Sequence, residues 1–199
     1  MSGIIGGRES KVRSGLVGGA FVHMVDHWRT TTEVNRDDSV YGKTGESVMS
    51  RISNYARGDG TNAIVGGKIK MSLNTTYGVW SFPIRGIYKV TTHTRCFNST
   101  TTAVPNAYVM SYIIENWNGS SGTENGASVS GAAAYHQYSP VKTVNDMVLR
   151  VENTPTSQSG SGTWTAVKFR HISTQAACYI EGNANGAYNH FIFERIGNL

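Results

Sequence analysis

Apolar side chains recur at every second position in short runs from residue 62 onward, and this alternation constrains the fold more strongly than any other feature of the chain. In one such run, Val167 and Phe169 alternate with Lys168 and Arg170. A period of two puts successive side chains on opposite faces of a β-strand, so each run predicts a strand with one buried face. Turn signals separate about eight to ten of these runs, which predicts an all-β fold of the sandwich or jelly-roll type.

The composition supports an all-β chain. Twenty-three glycines among 199 residues and a charged fraction of only 16% are not typical of a helical bundle. Ten tyrosines, six phenylalanines and four tryptophans can fill a core, which argues against a disordered chain. No apolar run approaches the ~20 residues of a membrane helix, and the net charge of +5 forms no basic stripe. We therefore expect neither a membrane nor a nucleic-acid partner.

The first twenty residues contain two similar units, each with two apolar residues between glycines. Six glycines in this stretch disfavour a helix, so the chain here is either a flexible tail or an extended arm. A solvated tail has no need of large apolar side chains, which favours an arm that anchors the protein to a partner. The anchoring side chains would be Ile4, Ile5, Leu16 and Val17.

Charged residues are concentrated near the N-terminus. Residues 1–70 carry 10 basic and 7 acidic side chains, whereas the remaining 129 residues carry 8 and 6. We therefore divide the chain into the arm (1–20), a charged N-terminal region that packs on or leads into the body (21–61), and a jelly-roll domain (62–199). Within the charged region, residues 20–34 fit a helix or a strand, and residues 46–57 fit a short strand pair or a helical turn.

One stretch resembles a known family. Residues 74–92 are similar to a strand–turn segment of C1q/TNF-like jelly rolls, and the matching positions are Gly78, Phe82, Pro83, Gly86, Tyr88 and Val90. An Asn118–Gly119 turn, a strand over 141–151 and the closing strand over 187–197 also fit. The resemblance covers roughly residues 62–197 and implies an antiparallel jelly-roll β-sandwich that forms homotrimers. The chain departs from the family in its charged front and in a missing Gly-Asp turn.

The N-terminal units resemble those of virion proteins of tailed bacteriophages, notably marine ones, that carry such a jelly roll. The resemblance implies a structural protein of the virion, either a head decoration or a tail or fibre component, assembled in the host cytoplasm. Its partners would be other copies of itself and capsid or tail proteins. The alternative is a receptor- or carbohydrate-binding module at a fibre tip, which would bind a host surface glycan.

Two groups of aromatic and apolar residues are candidates for contacts. Trp117, Tyr135 and Tyr138 flank a small-residue loop over 119–134, where aromatic faces could stack on a sugar or pack against another subunit. Residues 107–115 are apolar on both faces, which indicates either a central strand or a strand covered by another subunit. The trimer-interface candidates on this strand are Tyr108, Met110, Tyr112 and Ile114.

The sequence gives little support to an enzyme. Gly42-Lys43-Thr44 ends like a phosphate-binding loop, but Asp37 occupies the position of the required first glycine. His23, Asp26 and His27 would share a face only on a helix, and a polar helix or strand edge explains them better than a metal site. The other histidines are scattered singly and are interpreted as surface or interface residues: His93, His136, His171 and His190. We expect a non-enzymatic protein with no cofactor and no metal.

Cys96 and Cys178 are the two cysteines of the chain, and they lie in no metal or redox motif. We interpret them as small buried hydrophobes. The N-terminus also lacks the apolar stretch of a secretory signal, so we expect a protein that folds in a reducing compartment.

Overall fold

The computed structural model describes residues 24–34, 37–52, 69–98, 106–133, 141–156, 162–173, 178–180, 182 and 189–199. This part of the chain consists of strands and connecting loops, and no helix occurs in it. The strands are β1 (Met24–Thr30), β2 (Ser39–Val40), β3 (Met49–Arg51), β4 (Ser72–Asn74), β5 (Val79–Ser81), β6 (Gly86–Asn98), β7 (Asn106–Trp117), β8 (Thr123–Ala133), β9 (Val141–Val151), β10 (Trp164–Ser173), β11 (Cys178–Ile180) and β12 (His190–Gly197). The all-β prediction is confirmed.

The strands form two antiparallel sheets that pack face to face. Sheet 1 has the order β9-β6-β12-β1-β3, and β11 pairs with the far end of β6 beside β12. Sheet 2 has the order β8-β7-β10-β5-β4, and β2 pairs with β10 beside β5. Long-range pairing therefore joins β1 to β12, the first and last strands of the described residues, and the main core lies between the two sheets.

The sandwich begins earlier in the chain than residue 62. β1 pairs along most of its length with β12, and β3 extends sheet 1 beyond β1. The described residues of the region over 21–61 therefore supply strands to both sheets. The ambiguous segment over 20–34 is a strand over its described residues because alternate side chains, such as Met24 and Trp28, are buried.

Aromatic side chains from both sheets fill the core. Trp80 of β5 lies at its centre and is fully buried. Its ring is 5.3 Å from that of Phe169 in sheet 2 and 6.1 Å from that of Phe193 in sheet 1, measured between ring centroids. Edge-to-face and tilted pairs of this kind add to the free energy of burial. The alternation of apolar residues predicted these inward-facing positions correctly.

The residues of the C1q/TNF-like motif have identifiable packing roles. Phe82 and Tyr88 are both fully buried, their ring centroids lie 4.5 Å apart, and the Tyr88 hydroxyl donates a hydrogen bond to the Ile84 carbonyl at 2.8 Å. A Cβ atom on Gly86 would lie 2.7 Å from the backbone oxygen of Gly197, so a larger residue would force the start of β6 and the end of β12 apart. The motif is thus a requirement of packing in the sandwich.

The small-residue segment that the sequence indicated as a loop is largely a strand. β8 covers Thr123–Ala133 and pairs with β7 along its length, with one irregularity in the register. Gly, Ser and Ala have low strand propensity, but pairing with a neighbouring strand overrides that weak preference. β7 is consequently an internal strand between β8 and β10, which accounts for its two apolar faces.

Two other expectations can be compared with the structure. Cys96 is a fully buried thiol on the inner face of sheet 1, as expected, whereas the side chain of Cys178 lies outside the described residues. The part of the chain that the structure describes includes no helix of the length and apolar character that a membrane crossing requires.

Candidate subunit interface

Strand pairing in sheet 1 arranges outward-facing side chains in rows. The first row, here called the Val144 row, contains Val144 of β9, His93 of β6, His190 of β12 and Arg29 of β1. These residues are direct cross-strand partners, so their side chains lie side by side on the outer face of the sheet. The row combines an aliphatic, two imidazole and one cationic side chain.

The next row, the Asp146 row, contains Asp146, Thr91, Ile192 and His27 on the same four strands. Asp146 accepts a hydrogen bond from the Thr91 hydroxyl at 2.5 Å. The centre of the row is neutral, because Thr91 and Ile192 lie between the carboxylate at one end and the imidazole at the other. The two rows together place Val144 and Asp146 on β9 at one side of the surface, and Arg29 and His27 on β1 at the other.

The outer face of sheet 1 carries large apolar side chains that are exposed among the described residues. Val144 and Val148 on β9 have exposed fractions of 60% and 62%, and Ile196 near the end of β12 is 46% exposed. Half-buried Ile192 of β12 lies directly beside His27 on the same face. A folded protomer gains nothing by presenting these groups to water, and clustered exposed apolar side chains are typical of interaction surfaces.

Three histidines meet at the centre of this face. His27 Nε2 and His190 Nδ1 are 2.9 Å apart and share a hydrogen bond. The ring of His93 stands edge-on to that of His190, with 4.6 Å between the centroids. Because a neutral imidazole has one donor and one acceptor nitrogen, the His27–His190 bond is satisfied without any positive charge.

The environment of the cluster disfavours protonation. Burial lowers the pKa of His27 to about 4, and the proximity of His93 adds to this effect, while Asp26 opposes it. Burial also lowers the pKa of His190 to about 4, with further contributions from His27, His93 and Lys142. At neutral pH both rings are therefore uncharged, and the centre of the face is suited to contact with another apolar surface.

Charged groups surround this neutral centre. Lys89 and Asp146 form an ion pair of 2.9 Å at the β9 side. Hydrogen bonds to Thr91 and Lys89 lower the pKa of the exposed Asp146 carboxyl. On the opposite side, Nε of Arg29 donates a hydrogen bond to the Ser50 hydroxyl at 3.3 Å. A neutral centre with a charged rim is the usual composition of a protein–protein interface.

The outer face of sheet 2 has a different character because its polar groups are already paired. Glu124 binds Lys168 at 2.6 Å and Arg170 at 2.7 Å, and Arg170 also binds Asp38 at 2.9 Å. The Arg170 guanidinium lies over the Tyr112 ring, 5.2 Å from its centroid. This ladder pairs two cations with two carboxylates on the side of sheet 2.

The sequence-predicted interface residues lie on this second face. Tyr108, Met110 and Tyr112 are half-buried there, and the Tyr112 hydroxyl lies 3.0 Å from the Met110 sulfur. Ile114 is 1% exposed and packs inside the protomer, so it is not available to another subunit. Of the described residues, Val144, Val148 and Ile196 carry exposed apolar side chains on sheet 1 instead, which sequence alternation alone could not distinguish.

Trp117 is also buried, contrary to its proposed role as an exposed sugar-stacking residue. It is 4% exposed and packs with Val79, Ile114 and Ala166 in a second, smaller hydrophobic cluster. The edge of the Tyr77 ring covers it, with 5.5 Å between the centroids. Tyr135 and Tyr138, the other two candidates, lie outside the described residues, as do Ile4, Ile5, Leu16 and Val17 of the arm.

The histidine cluster was not recognised from the sequence. Asp26 and His27 are neighbours on a strand and point to opposite faces, so they cannot act together. His23 lies outside the described residues, within which no group of three or more His, Cys, Asp or Glu side chains is arranged to hold a metal ion. The signal for the cluster is the strand pairing of His27, His93 and His190, which are distant in sequence.

Comparison with known proteins identifies the fold. No protein-family model and no curated protein matches the chain. Among solved structures, 85 chains match, including that of Eiger TNF from S. frugiperda. This match has a TM-score of 0.56 and 10% sequence identity, and it covers 90% of this chain and 96% of the other. The chain therefore has a TNF-like jelly-roll fold, as the sequence motif predicted.

Proposed function

We propose that the protein is a non-enzymatic structural subunit that assembles as a homotrimer through the outer face of sheet 1. The observation that carries the proposal is the exposure of Val144, Val148 and Ile196 on the outer face of sheet 1, which also carries the hydrogen-bonded pair of His27 and His190. The resemblance to C1q/TNF-like domains supports three copies, since that family forms homotrimers. The paired charges on sheet 2 leave sheet 1 as the better contact surface.

Light scattering of the full chain at micromolar concentration tests the assembly. The protomer is 21.6 kDa, so three copies should give a mass of about 65 kDa, three times the protomer mass. Val144→Asp should abolish the trimer, because it places an additional carboxylate on the contact surface, where desolvating a charge is costly. A clean monomer of the unaltered protein would contradict the proposal.

A matched control uses an apolar residue of similar exposure at another position. Val48 is 56% exposed, compared with 60% for Val144, and it precedes β3 rather than lying in the rows on β9, β6, β12 and β1. Val48→Asp should retain the mass of about 65 kDa. If both variants remain trimeric, or both dissociate, the Val144 row is not the specific contact surface.

The proposed place of the trimer is a bacteriophage particle, as a head decoration or a tail or fibre component. This part of the proposal is supported by the resemblance of the N-terminal units to those of tailed-phage virion proteins. Residues 1–20 would anchor each subunit to another virion protein through Ile4, Ile5, Leu16 and Val17. Three arms per trimer would make weak individual contacts durable through avidity.

Deletion of residues 1–20 tests the anchoring role. These residues precede β1, so the truncated protein should remain a folded trimer of the same melting temperature. It should no longer co-purify with particles, because the apolar anchors would be missing. Incorporation at the normal level would show that the arm is not the attachment element, without affecting the test of the trimer.

A further inference from the structure

A cleft of about 240 Å³ opens where the ends of β7 and β9 meet the start of β10. It lies outside the Val144 and Asp146 rows, and the inference drawn from it does not depend on the proposed trimer. Its walls are formed by polar side chains of several kinds and by one indole ring. They include Glu115, Asn116, Arg150, Glu152, Asn153 and Trp164.

A β-bulge creates one wall of the cleft. Trp164 of β10 pairs with Trp117, but Ala166, two residues later, pairs with Ile114, so Glu115 and Asn116 together oppose Thr165. Asn116 adopts a left-handed conformation with φ of 54°, which asparagine tolerates better than most residues. Bulges of this kind redirect side chains, and here both Glu115 and Asn116 are exposed beside the cleft.

The indole of Trp164 is held in a fixed orientation. Its Nε1 donates a hydrogen bond to the Ser81 hydroxyl at 2.9 Å, and its ring packs against the cluster that contains Ile114 and Trp117. The ring is only half-buried, so part of it borders the cleft. An aromatic ring fixed before a ligand arrives loses little conformational freedom on binding.

The charges of the cleft exclude several ligand classes. Arg150 is paired with Glu152 at 3.0 Å, and Glu115 adds a second carboxylate, so the lining has no excess positive charge for a phosphate or sulfate. Polar groups outnumber apolar ones, which disfavours a lipid or other hydrocarbon. The carboxylates accept hydrogen bonds, Arg150 donates them, and the amides of Asn116 and Asn153 do both.

We propose that this cleft binds a neutral sugar residue of a glycan. Hydroxyl groups around a pyranose both donate and accept hydrogen bonds, as the amides and carboxylates require, and its C–H face can pack on the Trp164 ring. The volume is smaller than the roughly 300–1,000 Å³ typical of drug-sized ligands, which favours one sugar ring over an extended segment.

Binding can be tested with the full chain and a defined set of probes. Glucose, galactose, mannose, rhamnose and N-acetylglucosamine would be examined by saturation-transfer NMR, and an array of neutral oligosaccharides built from them would be screened. At least one should bind, with magnetisation transferred mainly to one face of the ring. Absence of binding by every probe would overturn the proposal.

Two variants locate the site without disturbing the core. Glu152→Ala removes an exposed carboxylate, and Asn116→Gly removes the amide while retaining a residue that accepts a positive φ. Each should raise the Kd of the bound sugar about tenfold, the effect of losing one strong hydrogen bond. Glu33→Ala, at an exposed glutamate outside the cleft, is the control and should leave the Kd unchanged. Equal Kd values for all variants would overturn the assignment to this cleft.

Discussion

Replacing Asp26 by alanine should destabilise the protein by about 3–5 kcal/mol, the usual cost of removing one partner of a buried ion pair. Asp26 is 1% exposed on the inner side of β1. Its carboxylate accepts hydrogen bonds from Nε and Nη2 of Arg51 at 2.7 and 3.0 Å, from the Trp28 indole at 3.1 Å and from the Met71 backbone amide at 2.9 Å. Without it, all these donors would lose a buried acceptor.

Urea denaturation at pH 7 and a fixed protomer concentration would measure this loss, since assembly makes the apparent stability depend on concentration. Glu152→Ala is the matched control. Glu152 also pairs with a cation, Arg150, but its side chain is 59% exposed and lies outside the Val144 and Asp146 rows, so its removal should cost less than about 1 kcal/mol. A cost within 1 kcal/mol for Asp26→Ala would mean that Arg51 and Met71 find other partners.

Lowering the pH should reduce the stability of the fold, because His27 and His190 become protonated. His27 and His190 have a pKa of about 4 in the fold, against an ordinary value of 6.5. Between these values the unfolded chain binds more protons than the folded one, so stability is complete above pH 6.5 and falls as the pH drops toward 4. Both rings retain contact with solvent, which weakens the electrostatic effect. We therefore expect the free energy of unfolding to fall by about 1–2 kcal/mol per protomer.

Melting temperature and light-scattering mass at pH 7, 5.5 and 4.5 would measure the effect. In a trimer, protonation would destabilise all three protomers. Carboxylates also titrate near the lower end of this range, so the His27→Gln/His190→Gln double variant supplies the reference. The native protein should lose more stability than this variant between pH 6.5 and 4.5. Parallel loss in the two proteins would assign the acid effect to groups other than His27 and His190.

Alternation in the sequence predicted the inward positions of the longer strands because a side-chain period of two is a local property. Phe191 and Phe193 are examples, and both are buried. β8 was missed because Gly, Ser and Ala produce no apolar pattern, and only pairing with β7 defines it. A segment of this kind becomes a strand because a neighbouring strand supplies its backbone hydrogen bonds.

The candidate interface was harder to predict because it depends on which strands pair. His27, His93 and His190 come from β1, β6 and β12, and no spacing along the chain relates them. The same limit applies to Asp26, whose main partner, Arg51, lies 25 residues away on another strand. Sequence patterns indicate which face a residue occupies, whereas pairing register decides what lies beside it.

The additional residue in β7 also affects how related chains should be aligned. Ile114 and Trp117 are three positions apart yet share one hydrophobic cluster, which a regular strand does not permit. A relative without the bulge would therefore need a gap of one residue at Glu115 or Asn116. An ungapped alignment would match buried positions with exposed ones beyond that point, which lowers the apparent similarity of two sandwiches that have the same core.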